Sequence, residues 1–376
     1  TFGSSASGKN FNLTGALSGG GTLQNSAATP AASYSFFLLG DLSQFTGTMV
    51  YTGVSSGNGA NWRLGASGST VDLSQAVVVL NGGNGKNFGY TDNCSNIVLR
   101  LGALSGSGYF QGSYNGGSGN VLSIGQLNTN ASFSGQVGVA NANMANFSLV
   151  KTGSGTQVLS GSSIYTGSTI VSNGALFVSP LLTGGGDVSV NSGATFGVTN
   201  TPVASAQIAN LAVATGSILE FQNVSSTSVP LIAAGNVTFN GAGTVKISGA
   251  GGLAAGSGYP LISYSGGFSG NVTNLQLQMP YGWRAALATN ASQLVLTNVA
   301  VVSITQPSLS PSAVGHQLQL TWASDHTGWR LETQTNSLSA GLGTNWFTVS
   351  GSAATNQMLF PVNSGNGSVF FRLIYP

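Results

Sequence analysis

The chain has 376 residues, of which 4% are charged and 41% are hydrophobic, and its formal net charge is +2. An ordinary globular protein carries roughly 25% charged residues, so Ser, Thr, Asn and Gln must supply most of the polar surface. Disorder is a poor alternative, because disordered chains are poor in apolar residues and rich in charge. The 9 Lys and Arg are spread along the chain, whereas a nucleic-acid interface needs a basic patch.

Glycine and short apolar groups dominate the first 300 residues. The chain has 57 glycines, and groups of two to four apolar residues alternate with Gly, Ser, Thr and Asn, as at residues 188–190, 195–198 and 245–247. No segment has the apolar stripe of a helix. Strands this short are unstable alone and must stack on copies of themselves. The pattern therefore predicts an all-β chain in which residues 1–300 form a solenoid.

Related groups recur along this region. An aromatic residue, then Ser or Thr, then Gly stands at residues 45–47, 133–135 and 165–167. The Gly and Asn residues of the connecting turns provide the positive φ that tight corners require. With roughly 20 to 30 residues per turn and about 4.8 Å between turns, we expect on the order of 10 to 15 turns. The crossover preference predicts a right-handed solenoid.

Residues 149–178 contain the clearest copy of the pattern. Lys-Thr-Gly-Ser-Gly-Thr occupies residues 151–156, Leu-Ser-Gly follows at 159–161 and Tyr-Thr-Gly at 165–167. In this order the three groups resemble the autotransporter-associated β-strand repeat. The resemblance implies a parallel β-helix in a secreted or surface-displayed bacterial protein, so we expect an extracellular or cell-surface location.

The pattern changes near residue 300. Residues 303–311 contain two prolines and are predicted to form a linker or an edge strand. Longer strands with aromatic residues follow at 317–322, 329–333, 346–349, 358–361 and 369–374. Their spacing predicts a small β-sandwich of the immunoglobulin or fibronectin type III kind over residues 301–376.

Four groups in this C-terminal region carry a second resemblance. They are Leu-Thr-Trp at 320–322, His-Thr-Gly-Trp-Arg-Leu at 326–331, Thr-Asn-Trp at 344–346 and Phe-Arg-Leu at 371–373. The region resembles the C-terminal sandwich module of many secreted proteins of Verrucomicrobia-type bacteria. This resemblance implies presentation or docking at the cell exterior rather than a reaction.

Side chains able to perform chemistry are few and scattered. The seven acids are Asp41, Asp72, Asp92, Asp187, Glu220, Asp325 and Glu332. A polysaccharide-degrading β-helix enzyme, the third alternative, needs several acids and cations in one groove. His316 and His326 lack metal-binding spacing, and Asp325-His326 is more typical of a turn residue beside a surface histidine than of a catalytic pair. We therefore predict no enzyme activity, no catalytic residue, no cofactor and no metal site.

The aromatic residues leave two interpretations open. They could form an exposed platform for sugars, or they could fill the solenoid interior, which we favour because aromatic residues are strong strand formers. Those considered are Tyr34, Phe36, Tyr51, Trp62, Tyr90, Tyr109, Tyr114, Tyr165, Tyr264, Tyr281 and Trp283. The single cysteine, Cys94, is expected to be a small buried residue, with an intermolecular disulfide as the alternative.

Low charge and a repeat architecture together favour self-association. We expect a non-enzymatic extracellular structural protein that forms a filament or surface layer, through the β-helix ends and the C-terminal domain. A monomeric surface adhesin or passenger that binds glycans is the alternative, with polysaccharide as its partner. No apolar run approaches the roughly 20 residues of a membrane span. Because the chain begins at Thr1 without Met, we expect that a signal peptide has been removed.

Overall fold

The computed structural model describes residues 9–25, 34–53, 61–82, 88–114, 116–139, 143–199, 204–337, 339–362 and 367–375, without the side chains of Lys9 and Tyr34. Strands hold 53% of the residues, which confirms the all-β prediction. The helical segments in these ranges are short 3-10 turns at Val272–Asn274, Ser324–His326 and Ser352–Ala354. The expected processing at Thr1 lies outside the described residues and stays a prediction.

The strands of the first part are β1 (Lys9–Leu13), β2 (Thr22–Gln24), β3 (Tyr34–Leu38), β4 (Thr48–Gly53), β5 (Asn61–Leu64), β6 (Thr70–Gly82), β7 (Phe88–Tyr90), β8 (Val98–Gly106), β9 (Tyr109–Phe110), β10 (Val121–Ile124), β11 (Ala131–Phe133), β12 (Gln136–Val137), β13 (Ser148–Lys151), β14 (Thr156–Leu159), β15 (Thr169–Val171) and β16 (Ala175–Val178). They continue with β17 (Val188–Val190), β18 (Thr195–Thr199), β19 (Ala206–Val213), β20 (Ile218–Gln222), β21 (Ile232–Phe239), β22 (Gly243–Ser248), β23 (Tyr259–Ser269), β24 (Leu275–Gln278), β25 (Trp283–Thr289) and β26 (Gln293–Val301).

Successive turns pair in parallel, so the predicted solenoid is confirmed. Thr70 of β6 lies beside Val98 of β8, and Thr169 of β15 lies beside Val188 of β17. Turn length therefore varies along the chain. The structure has about 9 turns, fewer than the expected 10 to 15, because turns near the upper end of the expected length occur in both halves, as from Thr70 to Val98 and from Ile232 to Ile262. The right-handed sense stays a prediction.

Side chains alternate between the interior and the surface along each strand, as the period of a strand requires. One interior column runs through Leu73, Leu101, Ile124, Lys151 and Val171, which are paired turn by turn. All five side chains are buried. The interior is thus a set of stacked columns, and four of these five positions carry the aliphatic residues that such a core favours.

The parallel stack changes direction at its C-terminal edge. Strand β23 pairs in parallel with β21 on one side and antiparallel with β26 on the other. The antiparallel pairs join Tyr259 to Leu296 and Ser263 to Gln293. A further parallel turn cannot pair with this part of β23 unless β26 leaves, so the edge is protected against open-ended pairing.

The chain divides into two compact units. The solenoid unit comprises residues 1–253, 258–278 and 287–297, and the C-terminal unit comprises 254–257, 279–286 and 298–376. The second unit therefore includes two segments that precede residue 300. The division predicted between residues 300 and 301 stays a prediction.

The C-terminal unit contains two three-stranded antiparallel sheets. Its strands are β27 (Ser310–Val314), β28 (Gln317–Thr321), β29 (Arg330–Asn336), β30 (Phe347–Thr348), β31 (Gln357–Pro361) and β32 (Ser368–Ile374). The sheets have the orders β27-β28-β31 and β30-β29-β32. Leu320 of the first sheet and Leu331 of the second share one apolar core with Trp322, which confirms a β-sandwich, while its immunoglobulin or fibronectin type III kind stays a prediction. The proline-bearing segment ends in the edge strand β27.

Candidate functional site

The segment that carries the clearest copy of the repeated pattern, residues 149–178, spans strands β13 to β16. Lys151 ends β13, and its side chain lies in the interior column between Ile124 and Val171. It is fully buried. A lysine in such a position is unusual, because charged side chains are almost never fully buried without partners.

The Lys151 ammonium is held by main-chain carbonyls. Its Nζ donates to the oxygens of Thr152 and Gly153 in its own turn and to Asn173 in the next, at 2.9 Å for Gly153 and 3.2 Å for Asn173. The three N–H donors of an ammonium match three acceptors. Burial nevertheless lowers the pKa of Lys151 to about 8, because an apolar surrounding disfavours the charged form. Lys151 therefore ties two turns together at a corner.

The recurring aromatic, hydroxyl and glycine group forms another corner. Phe45, Phe133 and Tyr165 are all buried in the interior. The glycines that follow have no room for a side chain: a Cβ on Gly47 would overlap the carbonyl oxygen of Gly21, and a Cβ on Gly135 would overlap that of Gly108. Glycine is required here because two turns approach backbone to backbone.

The aromatic residues of the first turns stack inside the solenoid. Neighbouring ring centroids are 5.3 to 6.3 Å apart along a chain made of Phe36, Trp62, Phe88, Phe110, Phe147 and Tyr165. These distances are typical of favourable aromatic pairs. The rings therefore fill the interior, which is the interpretation that we favoured.

Exposure separates the aromatic candidates of the sequence. Phe36, Tyr51, Trp62, Tyr90, Tyr165 and Tyr264 are buried, Tyr109, Tyr114 and Trp283 are half-buried, Tyr281 is exposed, and the side chain of Tyr34 lies outside the described residues. An aromatic row along the solenoid surface is therefore not formed by the candidates whose side chains are described. Tyr281 belongs to the C-terminal unit.

Each of the seven acids lies against its own partner. The pairs are Asp72 with Arg100, Asp92 with Arg63, Glu220 with Lys246, Asp325 with His326, and Glu332 with Arg372, while Asp187 accepts from Asn210 and Asp41 accepts from the backbone N–H of Ser43. The carboxylates are thus distributed singly over different turns and sheets. Such an arrangement does not bring several acids into one groove, which the enzyme alternative requires.

The histidine and cysteine candidates have local contacts. His326 is buried; its Nδ1 lies 2.7 Å from Asp325 Oδ1 and its Nε2 lies 2.8 Å from the carbonyl oxygen of Thr305. The expected surface position of His326 is wrong, because these two contacts hold the ring between a 3-10 turn and the preceding segment. Within the described ranges, no three His, Cys, Asp or Glu residues are grouped as a metal site.

Cys94 has a free thiol and is half-buried. The expectation of a buried cysteine is therefore wrong. Cys94 lies in the connection between β7 and β8, where its backbone N–H donates to Thr91 O at 3.4 Å and Ser113 Oγ at 3.2 Å. Its environment is that of a surface turn rather than a packed strand.

The parallel strand pairing and the glycine corners show that the protein is a parallel β-solenoid built from degenerate repeats. Within it, the passenger-associated-transport repeat matches residues 149–177. Together with the solenoid of about 9 turns, this match supports the resemblance to autotransporter-associated β-helix repeat proteins. The chain has no match among curated proteins.

The repeat is typical of passenger regions and indicates a surface-related or extracellular protein with a structural or adhesin-like role. No helix among the described residues has the length and apolar character needed to cross a membrane. The resemblance of the C-terminal region to a Verrucomicrobia-type module stays a prediction.

Large exposed apolar side chains mark the C-terminal unit, and the sequence interpretation missed all of them except Tyr281. In the described residues of the solenoid unit they are Phe11, Leu39 and Leu181, and in those of the C-terminal unit they are Tyr281, Val301, Ile304, Val314, Leu342, Phe347, Leu359, Val362 and Val369. A signal was present in the strands of the sandwich. Residues 358–360, for example, are consecutive apolar residues, and one face of a strand cannot accommodate all of them.

Proposed function

We propose that the protein is a non-enzymatic structural protein of the cell exterior whose copies associate into a filament or surface layer. The observation that supports this proposal most is the distribution of the exposed apolar side chains. The C-terminal unit is the smaller of the two, yet it carries most of them. The concentration of exposed apolar residues on the smaller unit favours this unit over the solenoid as the place of an interaction surface.

The low charge of the chain supports the same proposal. With 4% charged residues and a net charge of +2, electrostatic repulsion between copies is weak. The acids and most cations are also engaged within the chain, as Glu332 and Arg372 are at 2.7 Å. Two such surfaces approach each other with little desolvation of unpaired charge.

The contact between copies is assigned to the C-terminal unit rather than to the last solenoid turn. The antiparallel strand β26 already pairs with β23, so stacking of a second molecule on this edge would require β26 to leave. On the C-terminal unit, Leu359 of β31 is 49% exposed and Phe347 of β30 is 68% exposed. These two residues are the anchors that we select for the test, because large apolar anchors contribute most of the energy at interfaces.

A monomeric surface adhesin or glycan-binding passenger is the second candidate function. One observation favours it: Tyr281 is exposed in the C-terminal unit. A polysaccharide-degrading enzyme has less support, because the seven acids of this chain each lie against a separate partner.

Sedimentation velocity over a range of protein concentrations tests the proposal. We expect wild-type protein to form species larger than a monomer, with a mass that rises with concentration. Leu359→Glu and Phe347→Glu are expected to weaken association roughly tenfold or more, because each places a charge at an apolar anchor. Gln357→Glu is the matched control, since it adds the same charge on the same face of β31, and association should change by less than about threefold.

The outcomes separate two parts of the proposal. Wild-type protein that remains monomeric at the highest concentration overturns self-association. Association that persists equally in Leu359→Glu, Phe347→Glu and Gln357→Glu retains self-association but contradicts the assigned surface.

A further inference from the structure

Tyr281 stands at the tip of a tight turn in the C-terminal unit. The backbone N–H of Trp283 donates to the carbonyl oxygen of Pro280 at 3.0 Å, and Gly282 between them has φ +81°. This is the geometry of a type II turn, in which the third residue needs a positive φ. The Tyr281 side chain extends from this turn into solvent and is 66% exposed.

The ring of Tyr281 is held in place by two further aromatic residues. It packs on Tyr375 with ring centroids 4.5 Å apart, and Tyr375 packs edge-on against Trp329 at 5.3 Å. Trp329 is buried, and its indole N–H donates to Ser303 O at 2.8 Å. The hydroxyl of Tyr375 also accepts from the backbone N–H of Gly282. An exposed ring fixed in this way loses little conformational entropy when it binds a ligand.

The neighbouring segment completes a small amphipathic surface. The backbone N–H of Val302 donates to Gly282 O at 2.8 Å, which places residues 302–305 beside the turn. Ile304 is 51% exposed next to Gly282, and the hydroxyls of Ser303 and Thr305 lie 2.9 Å apart at an exposed position. The surface thus combines an aromatic face, an aliphatic side chain and neutral hydroxyl groups.

A cation, Arg284, follows Tyr281 by three residues. The aliphatic stem of Arg284 lies over Gly328, where its Cδ would be 3.5 Å from an added Cβ, and Gly328 directly precedes Trp329. The guanidinium of Arg284 has no ion-pair partner among the described residues and can pair with an external carboxylate, which arginine binds in a bidentate manner.

We propose that this surface, formed by Tyr281, Tyr375, Ile304 and Arg284, binds an acidic sugar unit of an extracellular polysaccharide. The C–H face of the sugar ring packs on Tyr281, whose amphipathic ring suits a ligand that is apolar on one face and polar at its edge. The carboxylate of the sugar pairs with Arg284. Charge complementarity selects an acidic sugar over a neutral one, since Arg284 has no acid of its own.

Affinity electrophoresis of the full chain through gels that contain polygalacturonate tests this proposal, with dextran as the neutral polymer. Wild-type protein should be retarded by polygalacturonate and much less by dextran. Tyr281→Ala should weaken retardation roughly tenfold or more, because it removes the central anchor, whereas Tyr281→Phe keeps the ring and should stay within about threefold. Arg284→Gln should weaken binding and reduce its dependence on salt concentration.

Leu342→Ala is the matched control, because it removes another large exposed apolar side chain of the same unit, 67% exposed, that has no part in the proposed contact between copies. It should leave retardation unchanged. Absence of retardation by polygalacturonate, equal retardation by both polymers, or retention of binding in Tyr281→Ala each overturns the proposal. Loss of self-association in Tyr281→Ala, measured by sedimentation, would show that the surface contacts another copy instead, and would likewise overturn it.

Discussion

The solenoid unit and the C-terminal unit use their large apolar side chains in opposite ways. In the solenoid, rings such as Trp62 and Phe110 are buried and packed against rings of neighbouring turns. In the C-terminal unit, Tyr281, Phe347 and Leu359 are exposed. Stacked turns stabilise the first unit through its interior, and the second unit is left with surfaces suited to contact. The stacked turns therefore account for the stability of the first unit, whereas the association that we propose is assigned to the smaller unit.

The largest expected difference in the free energy of unfolding is between replacing a buried phenylalanine and replacing an exposed one. Phe110 packs on Phe147 at 5.4 Å and on Tyr90 at 5.6 Å, so Phe110→Ala should lower the free energy of unfolding by about 3 to 5 kcal/mol. Phe347→Ala should change it by less than about 0.5 kcal/mol, because the side chain is exposed. Urea denaturation followed by circular dichroism measures both. Similar losses in the two variants would contradict the contrast between the units.

The next largest loss of stability is expected when a glycine at one of the corners is replaced. Gly135→Ala should lower the free energy of unfolding by roughly 3 kcal/mol, because the new Cβ would overlap the carbonyl oxygen of Gly108 and the turns must separate. Gly267→Ala is the control, since nothing lies within 4 Å of its added Cβ. Its effect should stay near zero. Equal midpoints of denaturation for the two variants would refute close backbone approach at Gly135.

Lys151 makes stability depend on pH. Burial lowers its pKa from 10.5 to about 8, so between these values the unfolded chain binds more protons and stability rises with pH. From pH 8 to pH 10 the free energy of unfolding should increase by about 2 kcal/mol. The window ends there because burial raises the pKa of Tyr165 to about 12, and unfolded tyrosines ionise near 10, which reverses the slope.

Lys151→Met provides the control for this titration. The variant should show a nearly flat stability between pH 8 and pH 10, as measured by urea denaturation at each pH. A rise of the same size in Lys151→Met would assign the effect to another group.

The smallest loss of stability is expected in a column of polar side chains on the solenoid surface. Asn236 donates to Asn210 Oδ1 at 2.7 Å, and Asn210 donates to Asp187 Oδ1 at 2.8 Å. Asn210→Asp places two carboxylates side by side and should lower the free energy of unfolding by about 1 kcal/mol at low salt, and by less at 1 M salt. Asn236→Asp, one turn further, adds a charge beside a neutral amide. Its loss should be smaller and less dependent on salt, as thermal denaturation at two salt concentrations would show.

Much of the solenoid could be predicted from local chemistry. Strands such as β17 and β22 lie where short apolar groups stand between glycine turns, and Gly193 and Gly216 have the positive φ that their turns predict. The position of Lys151 also follows from alternation, since Leu149 two residues earlier is buried too. Its burial was not predicted, because the three carbonyls that hold it belong to two turns whose register the sequence does not define.

Contacts between turns were beyond prediction for the same reason. Arg63 meets Asp92 and Glu220 meets Lys246 only because particular turns have particular lengths, and loop length is weakly constrained by free energy. The exposed residues of the C-terminal unit were missed because an edge strand such as β31 has apolar residues on both faces, so the sequence does not show which face is exposed. Leu359 looks like a core residue in the sequence, although it faces outward.

Negative-stain electron microscopy of the purified protein over a concentration series shows directly whether copies associate through the apolar surfaces of the C-terminal unit. We expect filaments or layers at high concentration in wild-type protein and in Gln357→Glu, and dispersed particles in Leu359→Glu. Dispersed monomers of wild-type protein at the highest concentration would contradict the claim.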